Sequence, residues 1–251
     1  MSGFIFVGSL GPNFELFYKI IKYVCIMKRL ILFFSFLTVL GFSQTLEIDE
    51  IEAIDQEIYS KIIEFSYGDL DGDNNSELML ILNRFDSSEY NIPRDLVILK
   101  MDDSKWYVWK KSSATILGSD EGGVRGDPFQ WAYIDSNKIY ISHAGGSRWR
   151  WSEDYIYSFK QDTFLLNSYY SYWGAFCENK IEVDFNLVSG NINYTIDIEE
   201  CPEGFGNNNH LLDSLPITEN FLYKDLRIDL FNTNRQILKI ITPLNNTFSI
   251  P

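Results

Sequence analysis

The chain has 251 residues, with 21 Lys and Arg against 35 Asp and Glu and a formal charge of −14. A surface this acidic repels phosphate backbones and anionic lipid, which argues against nucleic-acid and peripheral-membrane binding and favours cations or basic partners. Only two histidines, His143 and His210, are present, so a multi-histidine zinc centre is excluded, and no Cys-x-x-Cys pair or phosphate-cradling Gly loop stands before a helix.

Residues 27–43 open on Met27-Lys28-Arg29, continue through an apolar run from Leu30 to Phe42 and end on small residues, the three parts of a secretory signal peptide. The apolar run is shorter than the roughly 20 residues that span a membrane, and no Cys follows Ser43 to carry a lipid anchor. We expect Met27 to be the true start, residues 1–26 to be an upstream extension, and the product to be exported to the periplasm or beyond without a membrane anchor. Residues 1–43 carry Lys19, Lys22, Lys28 and Arg29 against Glu15, so removing this +3 from −14 leaves −17 on the 208 residues of 44–251. No Pro/Ser/Gly linker divides them, and one monomeric domain is expected.

Ile51, Ile54, Ile58, Ile62 and Ile63 recur at near-helical spacing, and a short N-terminal helix is expected over this stretch. Next comes Gly68-Asp-Leu-Asp-Gly-Asp-Asn-Asn-Ser-Glu77, directly before the apolar run Leu78-Met-Leu-Ile-Leu82. Asp69, Asp71, Asp73 and Glu77 lie within nine residues with no base between them. Each like-charged pair brought to contact costs about 3 to 4 kcal/mol at an effective dielectric near 20, so a compact turn here needs a cation. Calcium suits it, being a hard ion that accepts six to eight oxygens in forgiving geometry. Asp69, Asp71, Asp73 and Glu77 would supply carboxylates and Asn75 a main-chain carbonyl. Position 6 is Asn74 instead of Gly and position 12 is Leu80 instead of Glu, so the loop is not an EF-hand. Over about a dozen residues it resembles the calcium loops of FG-GAP and VCBS-type repeats, the integrin-like blades, in which such a loop leads into a strand. The competing reading is an Asp/Asn turn that satisfies its own backbone amides.

The remainder reads as strand. Residues 95–100 and 105–110 flank a turn at 102–104, and Lys138–Ser142, Tyr155–Phe159 and Thr163–Leu166 continue a series of short antiparallel strands. Since 208 residues hold only three or four blades of about 50 to 60 residues, a seven-bladed propeller is excluded. The expected fold is mainly β, a single domain of antiparallel meander strands forming a sandwich or an open curled sheet. Cys177 and Cys201 bracket two alternating segments joined at Ser189-Gly190, which reads as a hairpin that a disulfide could clamp, worth about 3 kcal/mol in the chain-entropy picture.

Two further stretches carry chemistry. One is Gly122-Gly-Val-Arg-Gly-Asp-Pro-Phe129, and the other is Ser142-His-Ala-Gly-Gly-Ser-Arg-Trp-Arg-Trp151. With the acidic loop, the Asn186–Gly190 turn and the Leu215-Pro-Ile-Thr218 segment, they resemble uncharacterised bacterial exported proteins bearing Gly-Asp-Pro-Phe and Gly-Gly-Ser-x-Trp-Arg-Trp elements. That resemblance implies one domain and transfers no activity. Arg125, Asp127, His143, Arg148, Trp149, Arg150 and Trp151 form a candidate ligand surface, for a sugar ring by stacking or a carboxylate by a guanidinium fork. Against it stands a plain reading in which the tryptophans are core and the arginines pair with surplus carboxylates. Asp127 before Pro128 reads as turn chemistry.

Three functions follow as expectations. The first is an exported binding or structural module with a structural calcium loop and an unknown protein or carbohydrate ligand. The second is a periplasmic hydrolase using His143, beside Ser142 and Ser147, or surface carboxylates; no Gly-x-Ser-x-Gly elbow supports it. The third is an inhibitor or immunity-type partner of a basic secreted protein.

Overall fold

The computed structural model describes residues 46–85, 90–198, 216–224, 226–231 and 238–250. The described part opens with a 3₁₀ turn over Ile48–Glu50 and a series of turns, then runs mostly as strand. β1 (Tyr59–Gly68), β2 (Glu77–Arg84), β3 (Arg94–Asp102) and β4 (Lys105–Ser112) form a four-stranded antiparallel meander. β5 (Phe129–Asp135), β6 (Lys138–Gly146), β7 (Trp149–Lys160), β8 (Thr163–Ala175), β9 (Asn179–Asn186), β10 (Asn191–Ile198) and β11 (Ile217–Leu222) form a second, seven-stranded one. A final hairpin pairs β12 (Leu238–Ile241) with β13 (Thr247–Ile250).

The expected antiparallel β architecture is therefore present, with two corrections. Where a short helix was expected, the segment from Ile51 gives turns and then β1. Ile62 and Ile63 belong to a strand, where β-branched side chains are least restricted, while Ile51 and Ile54 reach the core from turns. The acidic loop consequently joins two strands of a hairpin, β1 and β2, and does not follow a helix.

Two apolar layers hold the four-stranded sheet. Met79, Ile81, Leu96 and Ile98 face the seven-stranded sheet and meet Ile139, Ile141, Phe164 and Tyr169. Leu78, Leu80, Leu82, Val97 and Leu99 project from the opposite side of the pleat and are covered by Ile51, Ile54 and Tyr59. This two-sided burial explains why β2 is a continuous apolar run, since only a strand covered on both faces lacks alternation.

The β12–β13 hairpin adds Ile240, Phe248 and Ile250 to the same layer, with Phe248 stacked on Tyr194 of β10 at 5.9 Å. Buried Glu219 of β11 fastens this hairpin by accepting from Thr242 Oγ1 (2.6 Å), Leu244 N (2.8 Å) and Asn246 Nδ2 (2.9 Å). Burial pushes this carboxyl upward, but the three donors outweigh it and hold Glu219 below the usual carboxylate range.

Candidate metal centre

The loop between β1 and β2 folds around its own side chains. Asp69 accepts from Gly72 N (2.7 Å) and Asn74 N (3.0 Å), Asp71 from Asp73 N (3.3 Å), and Asp73 from Asn75 N (2.7 Å). Gly72 and Asn74 take positive φ, +82° and 67°, which a Gly and an Asn tolerate best. Glu77 opens β2 and is 2% exposed, and its Oε2 accepts the Leu70 N–H at 2.7 Å. Pairing β2 with β3 sets Leu78 opposite Leu99 and so brings Lys100 beside the loop.

Carboxylate oxygens of Asp69, Asp71 and Glu77 lie within 4.8 Å of one another and could hold a metal ion. Calcium binds oxygen at about 2.3 to 2.6 Å, which puts opposed ligands about 5 Å apart, so the spacing fits. Asp73 and Asn75 lie outside this group of three; Asp73 is instead tied to Asn75 N and to Lys100 Nζ at 3.3 Å. The Lys100 ammonium also donates to Asp71 and lies 3.5 Å from Glu77. It rests 4.5 Å from the Trp109 ring centre, a cation–π contact.

The electrostatics follow from this arrangement. Desolvation alone would lower the Lys100 value, yet the Asp71 and Asp73 hydrogen bonds and the nearby Glu77 charge raise it well above that of a free lysine. Glu77 is pushed up, first by burial, with the Asp71 and Asp73 charges adding to it and the Leu70 N–H and Lys100 opposing it. Four carboxylates against one ammonium leave a net charge of −3 on the cluster, the nearly buried Glu77 included.

Both sequence readings of the loop thus find a counterpart: the aspartates cap backbone amides, and three carboxylates converge on one point. Lys100 was missed by sequence reasoning, because only the β2–β3 register reveals that it faces Glu77.

The second candidate surface is not assembled as one. Gly122 O accepts Gly146 N at 2.8 Å and Pro128 O accepts Ala144 N at 2.8 Å, so the Gly-Asp-Pro-Phe and Gly-Gly-Ser-x-Trp-Arg-Trp elements do dock together. Asp127 accepts Phe129 N at 3.0 Å, as a turn aspartate should, and forms a bidentate pair with buried Arg94. Burial works against that carboxylate, but the Arg94 guanidinium holds it below its ordinary value. Trp149 stacks on Trp173 at 4.2 Å, Trp151 packs over Gly145, and Arg148 pairs with Glu178 at 2.5 Å. Arg150 projects from the opposite side of β7 to its two tryptophan neighbours, and Arg125 stands apart on an exposed 3₁₀ turn over Gly123–Arg125.

His143 is 1% exposed, packed edge-on against Phe129 and Tyr155, and its Nε2 takes the Leu117 N–H at 3.4 Å. Ser142 precedes it in β6 and so points to the other face of the sheet, out of reach as a nucleophile for this imidazole. Cys177 sits in a turn after β8 at φ 59°; its expected partner Cys201 lies outside the described residues. Among those residues no helix is long and apolar enough to cross a membrane. Comparison with known proteins returns no match among family models, curated proteins or solved structures.

Proposed function

We propose that the protein is an exported β module whose β1–β2 loop is fixed by calcium and which binds another molecule without transforming it. The observation that carries the metal reading is the convergence of Asp69, Asp71 and Glu77 within 4.8 Å while Glu77 is buried. A buried carboxylate among like charges is costly, and a divalent ion removes the cost. In this reading Asp69, Asp71 and Glu77 ligate directly, Asp73 and the Asn75 carbonyl complete the oxygen set, and Lys100 offsets part of the remaining charge. The ion is structural: it pins the hairpin turn and thereby the register of β1 against β2. Cys177 pairs with Cys201 and closes the β9–β10 hairpin, in keeping with an oxidising compartment. A binding role is preferred to hydrolysis because the sole histidine among the described residues is buried and faces away from its neighbouring serine.

Thermal unfolding of the full chain in 10 mM calcium and in chelator, with Asp71→Ala alongside, tests the reading. Extracellular calcium sites have dissociation constants of about 0.1 to 1 mM. Linkage then gives about 1.4 to 2.7 kcal/mol of stabilisation, or a rise of about 3 to 10 °C in Tm for a domain of this size. The increment should vanish in Asp71→Ala. Equal midpoints in calcium and chelator for the wild type would reduce the acidic run to a turn.

A further inference from the structure

The two faces of the seven-stranded sheet differ in kind. Its inner face carries Ile139, Ile141, Tyr169, Val183, Phe185 and Ile192 into the core. Among the described residues the outer face carries no such layer. The register shifts once in the β5–β6 pair, between Phe129 and Trp131, and once in the β7–β8 pair, between Ile156 and Tyr157, yet cross-strand partners still line up in a single outer row from Trp131 on β5, past Ser142 on β6, through Asp154 and Tyr170 to Asp184, Asn193 and Asn220 on β11. At about 4.8 Å per strand this row is about 29 Å long.

The row is chemically graded. At its β5 end Trp131 is 37% and Tyr133 42% exposed; Tyr133 lies parallel to Tyr140 at 4.9 Å and 8°, and Trp131 leans on Tyr133 at 5.3 Å. Three rings thus form one exposed platform on two neighbouring strands. At the β9–β11 end the surface sinks into a depression of about 380 Å³ lined by Asp184, Asn186, Asn191, Asn193 and Asn220 together with the apolar Ile192, Phe221 and Leu222. Cross-strand pairing puts the carboxamides of Asn186 and Asn191 opposite each other, and Asn193 opposite both Asp184 and Asn220. Tyr170 lies between the two ends, its hydroxyl 3.3 Å from Glu182.

We propose that this outer face binds an uncharged polysaccharide chain laid across the strands, stacked on the aromatic platform at one end and hydrogen-bonded by carboxamides at the other. Aromatic rings receive the apolar faces of sugar rings, and an amide or carboxylate donates to and accepts from adjacent hydroxyls. The charge of the molecule selects against other occupants. On this face Asp135, Asp154, Glu182, Asp184 and Asp197 outnumber Lys138, Arg150, Lys160 and Lys180 by one, and the −14 of the whole chain repels anionic polymers. The inference rests on the binding-module reading and supplies its ligand class; it needs no property of the metal loop.

The test uses the full chain in calcium and again in chelator, on microcrystalline cellulose, chitin, xylan and mannan, by pull-down and by retardation in gels carrying the soluble forms. Retention is expected on at least one of these neutral polymers. Trp131→Ala and Tyr170→Ala should each weaken it about tenfold, the loss of one good aromatic contact. Asn193→Ala should weaken it as well, and Tyr107→Ala, on the other sheet, should leave it within about twofold of wild type. Far-UV circular dichroism and Tm confirm that each variant is folded. No retention on any of the four polymers, retention untouched by the outer-face variants, or concentration-dependent self-association through this face would each overturn the proposal. If calcium raises Tm while no polymer binds, this inference fails and the metal reading stands; if a polymer binds in chelator and calcium shifts nothing, the reverse holds.

Discussion

Lys100 is the residue on which the acidic loop depends. Its ammonium touches Asp71, Asp73 and Glu77 and lies against Trp109, with its side chain largely removed from water. Removing a charge from such a cluster leaves carboxylates uncompensated, which costs more than the pair contributes by its presence. Lys100→Met, which keeps the apolar stem over Trp109, should therefore lower stability in chelator by about 2 kcal/mol or more. The calcium-induced rise in Tm should be larger in this variant than in the wild type, because the ion then supplies neutralisation that the lysine gave before. Parallel calcium titrations of the two proteins, followed by Tm and by tryptophan fluorescence, measure this; identical increments would separate Lys100 from the metal site. Here the sequence was informative about half of the arrangement. The Asp69-to-Glu77 spacing is legible because it is local, whereas Lys100 stands 23 residues beyond Glu77 and becomes its neighbour only through strand register.

At the scale of elements, glycine determines how the β5–β6 region closes. A Cβ on Gly145 would lie 2.6 Å from Trp151 Cζ2 and 2.7 Å from Gly122 O, so the indole and a rigid backbone both occupy the space that a side chain needs. The loop before β5 crosses the end of β6 at that point, through the Gly146 N to Gly122 O hydrogen bond. Gly145→Ala should thus separate the two segments, costing about 1 to 3 kcal/mol as an overpacking change. Chemical denaturation should show a lower midpoint with an unchanged m-value; a change below about 0.5 kcal/mol would mean that the loop shifts freely. Sequence reading recognised both glycine pairs as notable but could not bring them together, since nothing local encodes the contact. It placed the hairpins well, because Ser189-Gly190 and Asp103-Ser104 mark turns, and both Gly190 and the 103–104 pair take positive φ. It misread the start of the domain. Isoleucines at 51, 54 and 58 mimic a helical stripe, but the first two reach the core from turns and Ile58 lies exposed. The outer-face row was invisible for the opposite reason, as its members come from seven strands and no two are adjacent in sequence.

For the whole molecule, the difficulty is to tell a specific calcium site from general relief of charge repulsion. A chain at −14 is stabilised by any added salt, since screening weakens the repulsion among its carboxylates. Two signatures distinguish the site. Magnesium at equal ionic strength screens as well as calcium but demands near-octahedral geometry and gives up its waters reluctantly, so a flexible carboxylate loop should prefer calcium. The second signature is pH. Glu77 has its folded value raised above the ordinary 4.5, so in the interval above 4.5 the folded chain binds more protons than the unfolded one, and stability from this group falls as pH rises. Asp127 and Glu219 act in the other direction: their folded values are depressed, so their stabilisation is full above 3.8 and 4.5 respectively and is lost as the pH falls through the lower folded values. Calcium needs Glu77 ionised, so the increment it gives should be small near pH 4.5 and grow as the pH rises through the raised Glu77 value, where the apoprotein is losing stability. The increment from magnesium or sodium should follow overall charge instead, without a step in that interval. Tm measured from pH 4 to 8 with calcium, magnesium or chelator at constant ionic strength separates the two, and a calcium increment that magnesium matches at every pH would assign the effect to screening.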